Sequence, residues 1–194
     1  MNSEYEKFSV SAEDILDGLH RCGVKHVVTV PDMLQIALHK ALEAEDVGIR
    51  VTNTSTEDQA VEVAAGLYAG GEDAILLMQN QGFYACINSV RALGLDASIP
   101  LCFLVGQFGR EFSNLGNSPL ASKRLMVRML EPLLDTLDIP FWRLETSEDA
   151  GNLVSAWEAS RQRSGPAVAI AGHFVGWSGN SVTHARALAE QEAR

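Results

Sequence analysis

The sequence predicts an α/β fold: a single doubly wound domain with a six-stranded, mostly parallel sheet and helices on both faces. Short apolar runs alternate with amphipathic stretches of helical period from one end of the chain to the other. Most of the runs are continuously apolar, as is typical of parallel strands that are covered on both faces. Strand–helix alternation of this regularity favours one parallel sheet.

Six short apolar runs are predicted to be the strands of this sheet. The first reads HVVTV, the third AILLM, the fourth LCFLV and the sixth AVAIA. The predicted strands cover residues 26–30, 49–52, 74–78, 101–105, 141–144 and 167–171.

Stretches of helical periodicity lie between these runs. Ser11 can cap the first of them, and Asp14 three residues later favours a helix start there. The second stretch carries apolar residues at helical spacing, and the third is rich in alanine. The predicted helices cover residues 12–21, 34–44, 57–69, 83–95, 122–137 and 147–163.

The length of the chain predicts one domain. A chain of 194 residues is long enough for an α/β domain with a sizeable core and too short for a typical two-domain enzyme. We therefore expect a domain at residues 11–176, a polar N-terminal lead at 1–10 and a C-terminal tail at 177–194.

The composition argues against several classes of function. The formal net charge is −10, whereas nucleic-acid binding needs clustered Lys and Arg. No stretch approaches the roughly 18 to 20 continuous apolar residues of a membrane span. The first ten residues are polar and mixed in charge, unlike a secretion signal. The three cysteines are too widely spaced for a disulfide framework or a zinc motif, so a reduced, cytoplasmic location is expected.

The loops that follow the strands are the candidate sites, because ligands of open parallel sheets bind at the carboxyl ends of the strands. The first of these loops reads Val30-Pro31-Asp32. Proline fixes a turn there, and Asp32 can cap the next helix. The same carboxylate could instead lie at the mouth of a ligand site, and the residues alone leave both interpretations open.

The loop after the second strand leads into the third predicted helix. Thr54 and Glu57 have the spacing of a capping box, and the acids Glu57 and Asp58 suit the positive end of the helix dipole. Small residues follow along the helix, where they allow a flat ligand or a neighbouring backbone to approach closely. They are Ala60, Ala64, Ala65 and Gly66.

The loop after the third strand is rich in side-chain amides. It reads Gln79-Asn80-Gln81-Gly82. Three carboxamides ahead of a glycine make an ordinary polar turn. They also place a cluster of hydrogen-bond donors and acceptors at the carboxyl end of a strand, and taken alone neither interpretation prevails.

Together these loops resemble the pyrimidine (PYR) domain of thiamine-diphosphate-dependent decarboxylases. The resemblance is carried by the Val-Pro-Asp turn at 30–32, the acid at 57, the small residues at 64–66, the Met-Gln-Asn-Gln-Gly turn at 78–82 and the Ile-Asn pair at 87–88. The sequence is most similar to phosphonopyruvate decarboxylase and to the alpha subunit of sulfopyruvate decarboxylase, over residues from about 11 to 172. The resemblance implies a PYR-type thiamine-diphosphate-binding fold.

The resemblance also implies roles for individual residues. In this family a glutamate at the place of Glu57 hydrogen-bonds the ring nitrogen of the cofactor's aminopyrimidine and favours its imino tautomer, so Glu57 is the expected catalytic residue. Thiamine diphosphate is expected to be bound by Glu57, Gln79, Asn80, Gln81 and Gly82. Substrate contacts are expected from Asp32, Gln107 and Arg110.

One element of the family pattern is missing from this sequence. The family holds the diphosphate through a metal ion on a Gly-Asp-Gly motif with a later Asn, and no such motif is found here. No metal ligand is therefore expected in this chain. The resemblance implies a separate beta subunit that carries the diphosphate-binding domain and holds Mg²⁺, with the active site at the interface of an α2β2 or larger assembly.

The loop after the fourth strand departs from the nearest relatives. They carry Trp-Arg-Gly or His-Arg-Gly, whereas this chain reads Gln107-Phe108-Gly109-Arg110. Arg110 either reaches an acidic substrate or is a solvated loop residue. Because this corner is bulkier and less cationic, a less anionic or more aromatic 2-oxo acid stays open as the substrate.

The sequence thus predicts the alpha subunit of a carboxy-lyase that decarboxylates a small 2-oxo acid similar to phosphonopyruvate or sulfopyruvate. Two alternatives stay open. A carboligase subunit would join the activated aldehyde to an acceptor instead of releasing it. A non-catalytic α/β regulatory or binding subunit would keep only the fold, although the presence of Glu57 speaks against it.

Overall fold

Six parallel strands form one sheet in the computed structural model, which describes residues 7–44 and 47–176. In chain order the strands are β1 (His26–Thr29), β2 (Arg50–Asn53), β3 (Ala74–Gln79), β4 (Cys102–Gly106), β5 (Phe141–Leu144) and β6 (Ala167–Ala171). Their order across the sheet is β2-β1-β3-β4-β6-β5, and every neighbouring pair is parallel. The predicted strands and fold class are confirmed. The predicted C-terminal tail and most of the N-terminal lead lie outside the described residues.

Helices connect the strands along the chain. They are α1 (Ala12–Arg21), α2 (Ile36–Leu42), α3 (Glu57–Ala69), α4 (Asn80–Ala85), α5 (Ile87–Ser89), α6 (Leu125–Arg128), α7 (Leu130–Thr136) and α8 (Asn152–Arg163). The predicted cap of α1 is confirmed, because the Ser11 hydroxyl accepts a hydrogen bond from the Asp14 amide at 3.0 Å. No helix within 7–44 and 47–176 is long and apolar enough to cross a membrane.

Three predicted helices differ from the observed ones by three residues or more. The helix predicted at 147–163 starts with a 3-10 turn at Ser147–Asp149 and is α-helical only from Asn152. The helix predicted at 83–95 begins three residues earlier, is interrupted at Cys86 and ends in a π-helical turn at Val90–Asp96. The helix predicted at 122–137 is divided at Met129 into α6 and α7. Pro132 accounts for this break, since it has no N–H to donate to the carbonyl of Arg128 and its ring crowds that carbonyl.

Helices pack against both faces of the sheet. Successive strand residues point to opposite faces, so Val27 and Leu77 lie in one apolar cluster while Val28 and Leu76 lie in the other. The first cluster is closed by side chains of α1, α2 and α8, and the second by those of α3 and α7. Because all six strands are parallel, their carboxyl ends meet at one edge of the sheet, whose central strands β1, β3, β4 and β6 are buried on both faces.

Candidate active site

Glu57 is the first residue of α3, immediately after the loop that follows β2. The capping box predicted from Thr54 is wrong. The N-cap of α3 is Thr56, whose side chain makes no capping bond, and the Thr54 hydroxyl donates instead to the carbonyl oxygens of Thr29 and Thr56, at 3.3 and 3.0 Å. The loop is therefore tied back to β1, and the Glu57 side chain is not used to close the end of its own helix.

The side chain of Glu57 lies directly against Gly82. A Cβ atom built on Gly82 would overlap the carboxyl group of Glu57, so only glycine fits at this position while the carboxylate keeps its place. Glu57 is half-buried, and no other group within the described ranges hydrogen-bonds or pairs with its carboxylate. The structure thus brings together two of the predicted cofactor residues and leaves the carboxylate oxygens available to a ligand.

A buried thiol lies close to this carboxylate. Burial, and then the negative charge of Glu57, raise the pKa of Cys86 to about 12. The thiol is therefore neutral at physiological pH, and its surroundings do not activate it as a nucleophile.

The amide turn that follows β3 is the start of α4. Asn80 is fully buried, and its Nδ2 donates to the carbonyl oxygens of Phe108 and Met126 at 3.1 and 2.9 Å. Its Oδ1 accepts from the Gln81 amide at 3.0 Å. The Asn80 side chain thereby fastens the loop after β4 to α4.

The other two amides of this turn differ from Asn80. Gln79 is half-buried and Gln81 is exposed. Within the described part of the chain, neither side-chain amide has a hydrogen-bond partner. Of the three amides, these two are therefore the ones whose donors and acceptors are free for a ligand.

Asp32 caps the turn that precedes α2. Its Oδ1 accepts from the amides of Leu34 and Gln35 at 2.7 and 3.0 Å, and its Oδ2 accepts from the side chain of Gln35 at 2.9 Å. The prediction that Asp32 caps the next helix is wrong, because the N-cap of α2 is Gln35 and Asp32 closes only the turn before it. Asp32 is half-buried at the carboxyl end of β1, so a contact with substrate stays a prediction.

Sequence reasoning missed Gln35, which is fully buried at the carboxyl ends of three strands. Besides Asp32, its Nε2 donates to the carbonyl oxygens of Met78 and Leu104, at 3.1 and 3.4 Å. The sequence feature that could have indicated its burial is a single amide side chain between the apolar residues Leu34 and Ala37 of a predicted helix face.

Arg110 holds together the loop of residues 107–123, which connects β4 to α6. Its side chain is 1% exposed and pairs with Glu145 at 2.7 Å. The remaining bonds reach the Asn114 side chain at 3.0 Å and the carbonyl oxygens of Asn117 and Gly172 at 2.7 and 3.4 Å. The alternative of a solvated loop residue is wrong. A contact of Arg110 with substrate stays a prediction, and it would require the 107–123 loop to rearrange.

Gln107 is also buried, at the start of the same loop. Its Nε2 donates to the Val127 carbonyl at 3.4 Å, and its Oε1 has no partner among the residues that the structure describes. The side chain faces the loop–helix junction, and a substrate contact by Gln107 stays a prediction.

Outside these residues, the described chain offers little else of a site. An open cleft of about 460 Å³ runs along the outer edge of β2, but Glu57 is not among its lining residues. No group of three or more His, Cys, Asp or Glu side chains that could hold a metal ion occurs within 7–44 and 47–176.

His173 follows β6 and packs between the rings of Phe112 and Phe174, with centroid distances of 5.1 and 4.9 Å. Burial, and then the positive charge of Arg110, lower the pKa of His173 from 6.5 to about 4. Between these pH values the unfolded chain binds a proton that the folded chain does not. The free energy of unfolding should therefore fall as pH is lowered from 6.5 towards 4.

Urea unfolding at about pH 7 and about pH 4.5 checks this expectation. The parent chain should lose more stability over that interval than the His173→Gln variant, whose side chain cannot become charged. Equal losses in the two proteins would assign the acid sensitivity to other groups.

Comparisons with known proteins show the family to which the chain belongs. The family model described as thiamine pyrophosphate enzyme, N-terminal TPP binding domain, matches residues 10–136. Sulfopyruvate decarboxylase subunit alpha from Methanocaldococcus jannaschii is 28% identical over 140 residues, which cover 72% of this chain and 79% of the relative. Phosphonopyruvate decarboxylase from Streptomyces viridochromogenes is 29% identical over 154 residues, which cover 78% of this chain and 37% of that protein.

A solved structure with the same fold is the benzoylformate decarboxylase from Polynucleobacter necessarius. It superposes with a TM-score of 0.63 at 20% sequence identity. The match covers 84% of this chain and 29% of that chain. The chain therefore has the fold of one part of a larger enzyme chain.

Proposed function

The chain belongs to the family of N-terminal TPP-binding domains of thiamine pyrophosphate enzymes, and on this premise we propose that it is the alpha subunit of a two-chain decarboxylase of a small 2-oxo acid. Three relatives with 25 to 28% identity are named sulfopyruvate decarboxylase subunit alpha. The chain covers 79 to 93% of their length. Similarity over nearly the whole of such subunits supports a subunit of the same kind.

The observation that carries the proposal is the environment of Glu57. Its carboxylate lies against a glycine, is half-buried, and has no hydrogen-bond partner within the described residues. A carboxyl group held in this way can exchange a proton with a ring nitrogen that approaches it. The donor set therefore fits the aminopyrimidine of thiamine diphosphate.

Thiamine diphosphate, when bound, supplies the nucleophilic carbon and the electron sink that decarboxylation of a 2-oxo acid needs. The residues of this chain position and polarise it. Glu57 would hold, at a carboxylate oxygen, the proton to be shared with the pyrimidine ring of the bound cofactor. Gln79 and Gln81 offer amide donors and acceptors at the rim, and Gly82 keeps the wall beside Glu57 free of a side chain.

The rest of the active site is assigned to a second chain. The phosphonopyruvate decarboxylase relative is much longer, since the matched region covers only 37% of it. The name subunit alpha in the shorter relatives implies a partner subunit. We assign to that beta subunit the binding of the diphosphate and Mg²⁺, in an α2β2 or larger assembly with the active site between chains.

The substrate assigned to this site is a small 2-oxo acid of the sulfopyruvate or phosphonopyruvate type, which the names of the relatives support. A cation for the acidic end of such a substrate is not provided by Arg110 in the observed conformation, because Glu145 neutralises it. Exposed Arg124 lies beside the same loop, where its guanidinium donates to the Gly109 carbonyl at 3.0 Å.

Calorimetric titration of thiamine diphosphate with Mg²⁺ tests the proposal. The titrations are made into this chain alone and into its complex with a co-expressed chain that carries a Gly-Asp-Gly metal motif. Binding only to the complex, lost when Mg²⁺ is omitted, is the expected result. Binding to this chain alone would contradict the two-chain site, and no binding to a confirmed complex would contradict the catalytic function.

A further inference from the structure

A buried amide links the ends of three central strands. Gln35 precedes α2, and its Nε2 lies within hydrogen-bond distance of three acceptors: Asp32 Oδ2 at 2.9 Å, the Met78 carbonyl at 3.1 Å and the Leu104 carbonyl at 3.4 Å. These acceptors lie after β1, in β3 and in β4. Three oxygen atoms around one nitrogen identify it as the NH₂ group of the amide.

The same amide leaves its oxygen without a partner. Gln35 has no exposed surface, and its Oε1 is buried with no hydrogen-bond partner among the described residues. A buried acceptor without a partner lowers stability, and an apolar side chain of similar length would avoid that loss. The hydrogen bonds that its NH₂ group donates are therefore what a glutamine contributes at this position.

Its NH₂ group holds the carboxylate of Asp32. The Leu34 and Gln35 amides fix one oxygen of that carboxylate, and the Gln35 side chain fixes the other. Gly106 permits this approach, since a Cβ there would lie 3.1 Å from the Leu34 side chain and 3.5 Å from Gln35 Nε2. One Asp32 oxygen is thus oriented by the turn before α2, and the other by a side chain that is itself bonded to β3 and β4.

We infer that Gln35 is a positioning residue that sets the orientation of the Asp32 carboxylate towards the substrate. Gln35 does not touch substrate itself. It couples Asp32 to β3 and β4, the two strands that also lead into the amide turn at 79–82 and the 107–123 loop. This inference rests on the proposed function, because it assigns Asp32 to the substrate side of the same site.

A double-mutant cycle of Gln35→Met and Asp32→Asn in the alpha–beta complex tests it, with sulfopyruvate as substrate and carbon dioxide release as the assay. Methionine keeps the length of the side chain and removes the donor. We expect Gln35→Met to lower kcat by about 10- to 100-fold, as for a displaced catalytic group. The KM and the affinity for thiamine diphosphate should change much less. Adding Gln35→Met to Asp32→Asn should cause little further loss. Gln162→Met, at an exposed position of α8, is the matched control.

Two results would overturn the inference. If the losses of the single variants multiply in the double variant, Gln35 acts independently of Asp32. If Gln35→Met or Asp32→Asn retains the parent kcat, the carboxylate needs no positioning. Failure of the parent complex to bind thiamine diphosphate would instead contradict the proposed function. The two failures are therefore distinguishable.

Hydrogen–deuterium exchange gives a readout that does not depend on activity. In Gln35→Met, the backbone amides of Leu34 and residue 35 should exchange about tenfold faster, because they donate to the carboxylate that the variant releases. The amides of β3 and β4 should keep their protection. Gln35→Asn, which stays polar but is one methylene too short, serves where Gln35→Met does not fold, and unchanged exchange in either variant would contradict the inference.

Discussion

Replacing Glu57 by Gln is expected to reduce the rate of decarboxylation by about 100- to 10,000-fold, the usual contribution of a positioned acid–base group. The change keeps the size of the side chain and removes its ability to take up and release a proton. Because the Glu57 carboxylate has no partner within the described residues, its loss should leave the fold intact. Steady-state release of carbon dioxide by the alpha–beta complex measures the effect, and thermal unfolding checks the fold.

Two further variants show whether the loss is specific to the Glu57 carboxylate and to its position. Glu13→Gln changes an exposed glutamate in the first turn of α1 and should retain the parent rate. Gly82→Ala leaves the carboxyl group chemically unchanged but places a methyl group where it now lies, so it should also lose activity. Parent-like activity of Glu57→Gln would remove the catalytic assignment, and parent-like activity of Gly82→Ala would show that the carboxylate works from another position.

The second large effect is expected on stability, from Glu145→Gln. This substitution leaves the charge of Arg110 buried without its counter-charge, while the shape of the site is preserved. Breaking a buried ion pair from one side typically lowers the free energy of unfolding by about 3–5 kcal/mol. The Arg110 side chain is 1% and that of Glu145 is 18% exposed, so solvent screens the pair little.

Urea unfolding of the parent and of two variants measures this difference. Glu148→Gln lies three residues further along the chain at an exposed position, and its effect should stay within about 0.5 kcal/mol. If Glu145→Gln is as stable as Glu148→Gln, the ion pair does not hold the 107–123 loop, and the other hydrogen bonds of Arg110 suffice.

The sheet could be predicted from the sequence because its signal is local. Continuous apolar runs such as AILLM in β3 and AVAIA in β6 are buried on both faces, so composition alone marks them. The position of the candidate site at one edge of the sheet could be predicted for a related reason, whereas the role of Glu57 was implied by the family resemblance and stays a prediction. The residues of the site lie in the loops directly after the strands, and parallel strands bring those loops to one edge.

Helix ends were harder to predict because they depend on competition between nearby groups. The Thr54 hydroxyl has capping-box spacing from Glu57, yet it bonds carbonyl oxygens, one of them in β1. Pro132 divides a periodic stretch that otherwise reads as one helix. In the first case side-chain hydrogen bonds decide the outcome and in the second the missing N–H of proline does, and the hydrophobic periodicity of the sequence reports neither.

The partners of Arg110 and Gln35 could not be predicted from sequence spacing. Glu145 lies 35 residues after Arg110, and Leu104 lies 69 residues after Gln35. Such pairs become neighbours only once the strands are ordered as β1-β3-β4-β6-β5. Whether a charged or amide side chain is solvated or buried is therefore a property of the assembled sheet.

Many of the hydrogen bonds that hold the loops of the candidate site in place are accepted by main-chain carbonyl oxygens. Asn80 holds the carbonyl of Phe108, and Arg110 holds those of Asn117 and Gly172. A carbonyl is present whatever side chain the residue carries. The side chains at exposed positions such as 108 and 117 can therefore be replaced without loss of these hydrogen bonds. Substitutions at these exposed positions should therefore alter the surface of the 107–123 loop while the hydrogen bonds that hold it are kept.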